Sequence, residues 1–323
     1  MKVLFVCSGN AKNFDIVPFI KEQGESLKRL GVDVTYYPIK GKGLFGYLKA
    51  GFRLRKYLKT NQADLIHAHF TKSGYTAVIG AHKIPVILSL MGSDAYGEYI
   101  GENKVLFVSR YITLLTYLIQ PFVKAIISKS KNIERYVYMK SKSYVIPNGI
   151  NMDKFKSNII NHNNDLDFNS DTKRVLFLGS KTSIRKNYKL AQEAISHLKL
   201  EDVELINPFP ISHEDVPEYL NSSNVLAMCS FMEGSPNVIK EAMACNCPIV
   251  STDVGDVKWV LGNIEGCYIA SFQKEDYAAK LGEALKFSET IGRTKGEQRI
   301  KELGLDSETI ARRLFEIYKL ALL

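Results

Sequence analysis

The sequence predicts an α/β fold of two doubly wound, Rossmann-like parallel-sheet domains that face a cleft. Short, continuous apolar strands alternate with helices along the chain, a pattern typical of parallel sheets covered on both faces. The opening motif of residues 2–8 returns at 174–180, so the same fold starts twice. A chain of 323 residues is also long for a single core, which favours two domains.

The first half, residues 1–150, is predicted to form one domain. Its predicted strands are residues 2–7, 32–37, 64–69, 85–90, 125–128 and 143–146. Its predicted helices are residues 14–30, 44–59, 75–82, 104–120 and 131–139. Gly31 ends the first helix, and a Pro-Asn-Gly turn at 147–149 closes the domain.

The second domain, residues 151–306, is predicted to begin with a linker at 156–173 that is rich in Asn and Asp. Its predicted strands are residues 174–179, 203–206, 225–229 and 248–251. Its predicted helices are residues 187–199, 214–221, 236–245 and 273–287, and a last helix follows at 307–321.

Composition favours a globular protein of a reducing, cytoplasmic compartment. Hydrophobic residues make up 46% of the chain and charged residues 24%. The five cysteines contain no C-x-x-C pair, and their odd number argues against a disulfide framework. Lys2 runs directly into the first strand, so no signal peptide is expected. Arg110 interrupts the longest apolar region, 105–123, which argues against a membrane span.

The formal charge of +9 favours an anionic partner but does not choose one. Nucleotide phosphates, an acidic lipid surface and nucleic acid all remain open on this ground. Neither domain opening carries G-x-G-x-x-G, and the chain has no G-x-x-x-x-G-K-[ST] loop. A dinucleotide-dependent enzyme or a P-loop ATPase is therefore disfavoured.

The stretch 230–255 holds two glutamates, Glu233 and Glu241, with seven residues between them. Pro236 suits the first helical position. The free N–H groups of the first turn and the helix dipole then make an anion site. Glu233 lies before this turn and Glu241 inside the helix, so they could hold opposite ends of one ligand. Taken alone, the spacing also fits an exposed helix with Glu241 on its wet face.

The surrounding residues make this stretch specific. Residues 233–244 and 248–255 closely resemble the donor-sugar signature of the family 4 retaining glycosyltransferases, GT-B enzymes that take sugar from a nucleotide-diphosphate donor. The resemblance implies that Glu233 faces the donor sugar and Glu241 binds the ribose hydroxyls. It also assigns to the donor the residues around the helix start, which are Gly234, Ser235, Asn237 and Val238.

The resemblance extends beyond this motif. Residues 145–155 resemble the interdomain segment of the same enzymes, and residues 310–318 resemble the tail helix that crosses back to the first domain. It therefore implies an acceptor domain of residues 1–150 with 307–323, and a donor domain of residues 151–306.

The resemblance further implies that neither a metal nor a cofactor is needed, so protein cations must neutralise the diphosphate. Arg185 and Lys186 follow the strand 174–179, and α/β ligands bind at the carboxyl ends of strands. Many relatives carry Arg directly after the strand glycine, where this chain has Ser180, so Arg185 is predicted to replace it. The alternative is a solvated basic loop.

Several residues of the first domain are candidates for ligand contact. Gly9 would let a donor phosphate or an acceptor approach the first loop closely, and Asn10 beside it fits either a donor contact or a plain turn. Many relatives have His where Met91 stands, so the role of that loop passes to Ser93 or Asp94 on the acceptor side. Asp94 fits equally well as a helix cap.

His67 and His69 alternate at the end of the third strand and are predicted to face one way. No third ligand is evident, so a metal site is not predicted and His69 is a candidate for acceptor contact. The helix at 44–59 is basic and amphipathic. This pattern is typical of a core helix with a wet face, and the alternative is peripheral docking on an anionic membrane.

The resemblance, together with these observations, implies a retaining, metal-independent glycosyltransferase that moves a sugar from a nucleotide-diphosphate sugar to an acceptor hydroxyl. By resemblance, the setting is polysaccharide or glycolipid assembly with a sugar or lipid-linked acceptor. The alternatives are a non-catalytic GT-B partner subunit and a sugar-nucleotide epimerase of the same fold. A nucleic-acid binder is suggested by charge only, since no basic–aromatic recognition module is visible.

Overall fold

The computed structural model describes residues 1–11, 14–157 and 172–323. The chain divides into two compact units. Unit 1 contains Met1–Glu98, Leu106–Gly149 and Ser307–Leu323, and unit 2 contains Tyr99–Val105 and Ile150–Asp306. Most of the predicted linker, residues 158–171, lies outside the described residues.

The strands are short and are numbered in chain order. They are β1 Lys2–Ser8, β2 Asp33–Ile39, β3 Leu65–His69, β4 Val86–Leu90, β5 Tyr99–Gly101, β6 Lys104–Val105, β7 Ala125–Ser128, β8 Ser143–Val145, β9 Lys173–Leu176, β10 Val203–Ile206, β11 Val225–Met228, β12 Ile249–Thr252 and β13 Cys267–Ala270.

The helices alternate with these strands. They are α1 Pro18–Arg29, α2 Gly43–Tyr57, α3 Thr71–Ala81, α4 Ser93–Tyr96, α5 Arg110–Ile119, α6 Lys131–Glu134, α7 Tyr188–Leu198, α8 Val216–Ser222, α9 Asn237–Ala244, α10 Val257–Leu261, α11 Lys274–Thr290, α12 Gly296–Glu302 and α13 Ser307–Leu322. Short 3-10 turns include Phe107–Ser109 and Ile184–Lys186.

Each unit is built on a parallel sheet. The order in unit 1 is β2-β1-β3-β4-β7-β8 and the order in unit 2 is β10-β9-β11-β12-β13, with every pairing parallel. Strands β3, β4, β11 and β12 are buried along their whole length. Helices cover both faces of such a sheet, so the sequences of these strands do not alternate between apolar and polar residues. The two-domain α/β prediction is confirmed.

Helix boundaries differ from the sequence prediction where local turn chemistry intervenes. The first helix begins at Pro18 instead of residue 14, since proline favours the first helical turn. The helix predicted at 131–139 ends already at Glu134. The donor-motif helix begins at Asn237, and Pro236 is the extended residue before it.

The largest error concerns the predicted helix 104–120. Its first two residues, Lys104–Val105, form β6, which pairs with β5 in a hairpin that belongs to unit 2, and the helix α5 begins only at Arg110. Asn103 adopts a left-handed conformation, with φ of 55°, in the two-residue turn. Asparagine tolerates this conformation better than most residues, so Glu102-Asn103 can close the hairpin. In the described part of the chain, no helix combines the length and apolarity needed to cross a membrane.

Candidate functional site

The candidate site lies at the topological switch point of unit 2. The chain runs from β9 outward to β10 and then returns to β11 on the other side of β9. Ligands of open α/β sheets bind at the carboxyl ends of the strands where the order reverses in this way. The loop after β9 carries Arg185 and Lys186, and the loop after β11 carries Glu233.

One carboxylate oxygen of Glu233 forms ion pairs with both Arg185 and Lys186. Its Oε1 atom lies 2.5 Å from Arg185 Nη1 and 2.7 Å from Lys186 Nζ, and it accepts a hydrogen bond of 2.9 Å from Ser230 Oγ. Burial alone would raise the pKa of the Glu233 carboxyl, but the charges of Lys186 and Arg185 and the bonds from Lys186 and Ser230 together lower it. The carboxylate is therefore ionised near neutral pH and holds two cations beside the start of α9.

Backbone contacts fix the two loops against each other. Arg185 Nη1 donates to the carbonyl oxygen of Met232 at 3.1 Å, and the N–H of Phe231 donates to the carbonyl of Arg185 at 2.9 Å. Within unit 2, strand β5 of the hairpin also lies against the turn Ile184–Lys186. The guanidinium and the ammonium are thus held in one place, where together they can bind an anion by a planar fork and a point charge.

The turn before α9 depends on a close backbone approach. Gly255 has a φ of 64°, and a Cβ atom there would lie 2.6 Å from the carbonyl oxygen of Gly234 and 2.8 Å from that of Glu233. Gly234 is buried, and Asn237 and Val238 are half-buried in the first turn of the helix. The loop that carries Glu233 therefore rests directly on the backbone after β12, which only glycine allows.

Beneath this turn, Ser235 joins the buried Lys240 to the half-buried Asp256. Its hydroxyl donates to Asp256 Oδ2 at 2.6 Å and accepts from Lys240 Nζ at 3.1 Å. Burial lowers the pKa of Lys240, although the charges of Asp256 and Glu241 oppose this effect. Burial likewise raises the pKa of Asp256 against the charge of Lys240. Ser235 was predicted to bind the donor, and its observed bonds connect α9 to the start of α10.

Glu241, on α9, is bound by a histidine that the sequence analysis missed. His213 Nε2 lies 2.9 Å from Glu241 Oε1, and its other ring nitrogen lies 3.1 Å from Lys154 Nζ. His213 lies in the segment between β10 and α8, 28 positions before Glu241. A lone histidine in a loop without a motif gave no signal for this contact.

Gly9 and Asn10, the candidates in the first loop of unit 1, contact the end of β2 and the loop after it. A Cβ atom on Gly9 would lie 2.7 Å from the Pro38 Cβ, so glycine permits the loop after β1 to lie against the end of β2. The Asn10 amide donates to the carbonyl of Gly41 at 2.7 Å and accepts from its N–H at 3.0 Å. These bonds give both residues a structural place, and their donor contact stays a prediction.

The two histidines of β3 face one way, as predicted, and their rings stack with centroids 4.3 Å apart. His67 bonds to Tyr318 Oη at 2.6 Å and to Ser89 Oγ at 2.7 Å. His69 is only 2% exposed, and within the described residues neither of its ring nitrogens has a hydrogen-bond partner. Burial lowers the pKa of both histidines, so they are neutral. An acceptor contact of His69 stays a prediction.

Ser93 and Asp94 differ in exposure. The Asp94 carboxylate is buried and accepts backbone N–H bonds from Met91, Gly92 and Thr71 at 2.9, 2.9 and 3.0 Å. Burial raises its pKa to about 6 even though these bonds oppose the shift. These bonds fit the structural alternative for Asp94. Ser93 is exposed and lines a groove of about 220 Å³ together with Lys72.

Comparisons with known protein families match both halves of the chain. A family model described as Glycosyltransferase Family 4 matches residues 2–154. A second, described as Glycosyl transferases group 1, matches residues 169–286, which include Arg185, Lys186, Glu233 and Glu241.

Two bacterial proteins are among the similar sequences. The chain is 24% identical to the putative teichuronic acid biosynthesis glycosyltransferase TuaC of Bacillus subtilis, over 69% of this chain and 60% of that protein. It is 24% identical to the N,N'-diacetylbacillosaminyl-diphospho-undecaprenol alpha-1,3-N-acetylgalactosaminyltransferase of Campylobacter jejuni, over 94% of this chain and 90% of that protein. The chain thus spans less than two thirds of the length of the Bacillus relative.

Solved structures share the whole architecture. A sucrose-phosphate synthase from Thermosynechococcus elongatus superposes with a TM-score of 0.76 at 15% identity, over 99% of this chain and 98% of that one. Anabaena HepE in complex with UDP superposes with a TM-score of 0.69 at 15% identity, over 99% and 100% of the two chains. At such identities the likeness shows the fold alone, which is the GT-B fold.

Proposed function

Since the chain belongs to the family 4, group 1 glycosyltransferases and has the GT-B fold, we propose that it transfers a sugar from a nucleotide-diphosphate sugar to an acceptor hydroxyl. The observation that carries this proposal is the cluster of Arg185, Lys186 and Glu233 at the switch point of unit 2. A pair of fixed cations beside a helix start suits a diphosphate, which carries negative charge on both phosphates.

Donor binding would exchange one anion for another. Arg185 and Lys186 are both paired with Glu233 in the structure, and its single negative charge offsets one of their two positive charges. In the proposed donor complex they turn to the diphosphate, so Glu233 is released from its two ion pairs and faces the sugar. Glu241 binds the ribose hydroxyls from inside α9. Because two protein cations and the helix start stabilise the leaving group, this transfer is proposed to need no divalent metal.

The proposed reaction retains the configuration of the sugar carbon. The bond between the anomeric carbon and the diphosphate oxygen breaks, and the acceptor oxygen forms its new bond on the same face. The acceptor proton passes to the departing phosphate oxygen, which acts as the base. Arg185 and Lys186 stabilise the negative charge that grows on the diphosphate as it leaves.

The acceptor is proposed to be a sugar or a lipid-linked sugar in polysaccharide or glycolipid assembly. The names of the two bacterial relatives support this class, since one refers to teichuronic acid and the other to a diphospho-undecaprenol carrier. An acceptor on such a carrier lies at a membrane surface, so the proposal includes peripheral contact of unit 1 with an anionic membrane.

The distribution of charge supports this membrane contact. By sequence, unit 1 contains 24 Lys and Arg against 10 Asp and Glu, a formal charge of +14. Unit 2 contains 19 Lys and Arg against 24 Asp and Glu, a formal charge of −5. No acidic residue occurs at 34–63 or at 103–133, the stretches that contain α2 and α5. Basic clusters of this kind are attracted to anionic lipid.

The same two helices expose large apolar side chains. Helix α3 packs against both α2 and α5, which places the two on one side of the unit 1 sheet. On and beside them, seven apolar residues are each more than half exposed: Phe45, Phe52, Phe107, Val108, Leu114, Leu118 and Phe122. Exposed aromatic and aliphatic side chains among cations are typical of surfaces that insert into the lipid interface. We define these seven residues as the apolar–basic face.

Nucleotide-dependent thermal stabilisation tests the donor proposal. UDP, GDP, ADP and dTDP are added separately to the wild type and to Glu241→Ala. A nucleotide at about a hundred times its Kd should stabilise by roughly 2.7 kcal/mol, which is a shift of several degrees. One nucleotide should stabilise the wild type and lose most of its effect in the variant. If none stabilises the wild type, the donor site fails and the partner-subunit alternative takes its place.

Turnover of nucleotide sugars distinguishes the proposed transferase from the remaining alternative, a sugar-nucleotide epimerase. A transferase releases nucleoside diphosphate in proportion to the acceptor supplied. An epimerase interconverts the nucleotide sugar without any acceptor. Conversion of the donor to a second nucleotide sugar, at an unchanged rate when acceptor is added, would therefore contradict the transferase proposal.

A further inference from the structure

Glu241 is held in place by His213, whose ring has a defined neighbour at both nitrogens. Glu241 exposes only 8% of its side chain and His213 exposes 29%. Lys154 contacts the second ring nitrogen, Glu214 Oε1 lies 2.8 Å from Lys154 Nζ, and the charge of Lys240 acts on Glu241. Glu241, His213, Lys154 and Glu214 thus form a chain of contacts from α9 to the segment after Ile150.

The partners of the ring fix its protons. An ammonium group can only donate, so Nδ1 of His213 must accept the hydrogen bond from Lys154. A neutral imidazole whose Nδ1 accepts a hydrogen bond carries its proton on Nε2. That N–H then donates to the Glu241 carboxylate. Lys154 therefore selects the tautomer in which His213 can bind Glu241.

Packing holds the ring as well. Phe155 is buried, and its ring centroid lies 5.4 Å from that of His213 at an angle of 58°. Two hydrogen bonds and an aromatic contact leave the imidazole little freedom to rotate. The Oε1 atom of Glu241 is consequently anchored at one place on α9.

One oxygen of the buried Glu241 carboxylate is satisfied by the hydrogen bond from His213, and the charge of Lys240 acts on the same carboxylate. The same arrangement is well suited to binding, because a carboxylate with one anchored oxygen loses less side-chain entropy when a ligand arrives.

We propose that His213, oriented by Lys154, is a positioning residue that holds the Glu241 carboxylate in the geometry that receives the ribose hydroxyls of the donor. This inference rests on the proposed function, since Glu241 needs a ribose to bind. It adds a residue in a different loop to the donor site.

The test compares a nucleoside diphosphate with its 2′,3′-dideoxy analogue. Both are titrated by calorimetry into the wild type, His213→Ala and His213→Gln, and the readout is the ratio of the two Kd values. We expect the wild type to prefer the hydroxylated nucleotide roughly tenfold or more, as for hydrogen bonds to a charged group. His213→Ala should lose most of this preference. His213→Gln should keep most of it, because its amide can donate to Glu241.

His197→Ala is the matched control, since His197 lies on α7 of the same unit and lines a separate surface pocket. It should keep the wild-type ratio. If His213→Ala keeps the ratio, or weakens both nucleotides equally, the positioning role is wrong while the donor proposal stands. If that variant does not fold, Lys154→Met replaces it and must lower the ratio. If the wild type binds no nucleoside diphosphate, the proposed function fails and this inference fails with it.

Discussion

Glu233→Gln should tighten the binding of nucleoside diphosphate while it slows sugar transfer. The substitution removes the negative charge that lies 2.5 Å from Arg185 and 2.7 Å from Lys186, with almost no change in side-chain shape. Both cations are then left without this partner, and the diphosphate no longer competes with Glu233 for them. Binding and turnover should therefore change in opposite directions.

The magnitude follows from the geometry. Two unit charges about 4 Å apart interact by about 4 kcal/mol at an effective dielectric constant near 20. The three side chains are between 13% and 32% exposed, and solvent screening reduces such couplings to about 1 kcal/mol per pair. We therefore expect a gain of about 1–2 kcal/mol, or roughly tenfold in Kd. Loss of a charge that acts on the sugar should lower kcat by roughly 100-fold.

Calorimetry at low and high salt measures the affinity, and release of nucleoside diphosphate with acceptor present measures transfer. Glu193→Gln is the matched control, because Glu193 forms an exposed ion pair with Lys189 at 3.5 Å in the same unit. It should change neither quantity. Weaker nucleotide binding in Glu233→Gln, or binding tightened equally in both variants, would refute the reasoning.

Three further predictions concern the support of the site, its pH dependence and the membrane. Gly255→Ala places a Cβ atom 2.6 Å from a backbone oxygen and should lower the unfolding free energy by about 1–3 kcal/mol and weaken nucleotide binding. Gly292→Ala, at a φ of 94° with open space around it, should cost less and leave binding unchanged; equal effects on binding would contradict this account. The pKa of Glu233 is lowered, so its contribution to stability is present above its ordinary pKa of about 4.3 and is lost as pH falls through the folded-state value. Urea unfolding measures the difference in unfolding free energy between wild type and Glu233→Gln, and this difference should therefore shrink below about pH 4. A difference that stays constant with pH would show that the ion pairs of Glu233 do not stabilise the fold. Phe107→Asp should abolish flotation with anionic vesicles and leave nucleotide binding intact, whereas Ile291→Asp, at an apolar position of unit 2 that is also mostly exposed, should float like the wild type. Flotation of Phe107→Asp at wild-type level, or flotation insensitive to salt and to anionic lipid, would argue against the apolar–basic face.

The strands were predictable because their burial leaves a direct pattern in the sequence. Val3, Leu4, Phe5 and Val6 form a continuous apolar run in β1, which is typical of a strand in a parallel sheet covered on both faces. The repeat of this run at 174–180 then indicates a second sheet. Both predictions depend only on residues close together in the sequence, so they need no knowledge of tertiary contacts.

The hairpin β5–β6 was not predictable in the same way. Its second strand begins an apolar run at Val105 that continues into α5, so these residues also fit a longer helix. What distinguishes them is the left-handed Asn103 and the placement of Tyr99–Gly101 against the Arg185 turn, a contact between distant parts of the sequence. A strand this short gains its stability from that packing and not from its own propensity.

Some residues of the candidate site were likewise predictable from the sequence and others were not. Glu233, Arg185 and Lys186 were predictable as a group because the motif and the strand ends place them at one edge of a sheet, and the structure brings all three together. His213 and Lys154 were not, since no spacing in the sequence connects them to Glu241. Contacts that orient a functional side chain arise from the tertiary fold and leave little mark in a single sequence.

The most direct measurement of the central claim is metal-free nucleotide binding by the two cations. UDP, GDP, ADP and dTDP are titrated by calorimetry, in buffer with EDTA, into the wild type and into a variant carrying both Arg185→Met and Lys186→Met. The account predicts that one nucleotide binds the wild type without metal and that the double variant weakens it by roughly 100-fold or more, as for the loss of two charge-assisted contacts. Equal binding by both proteins would contradict the assignment of these cations to the diphosphate.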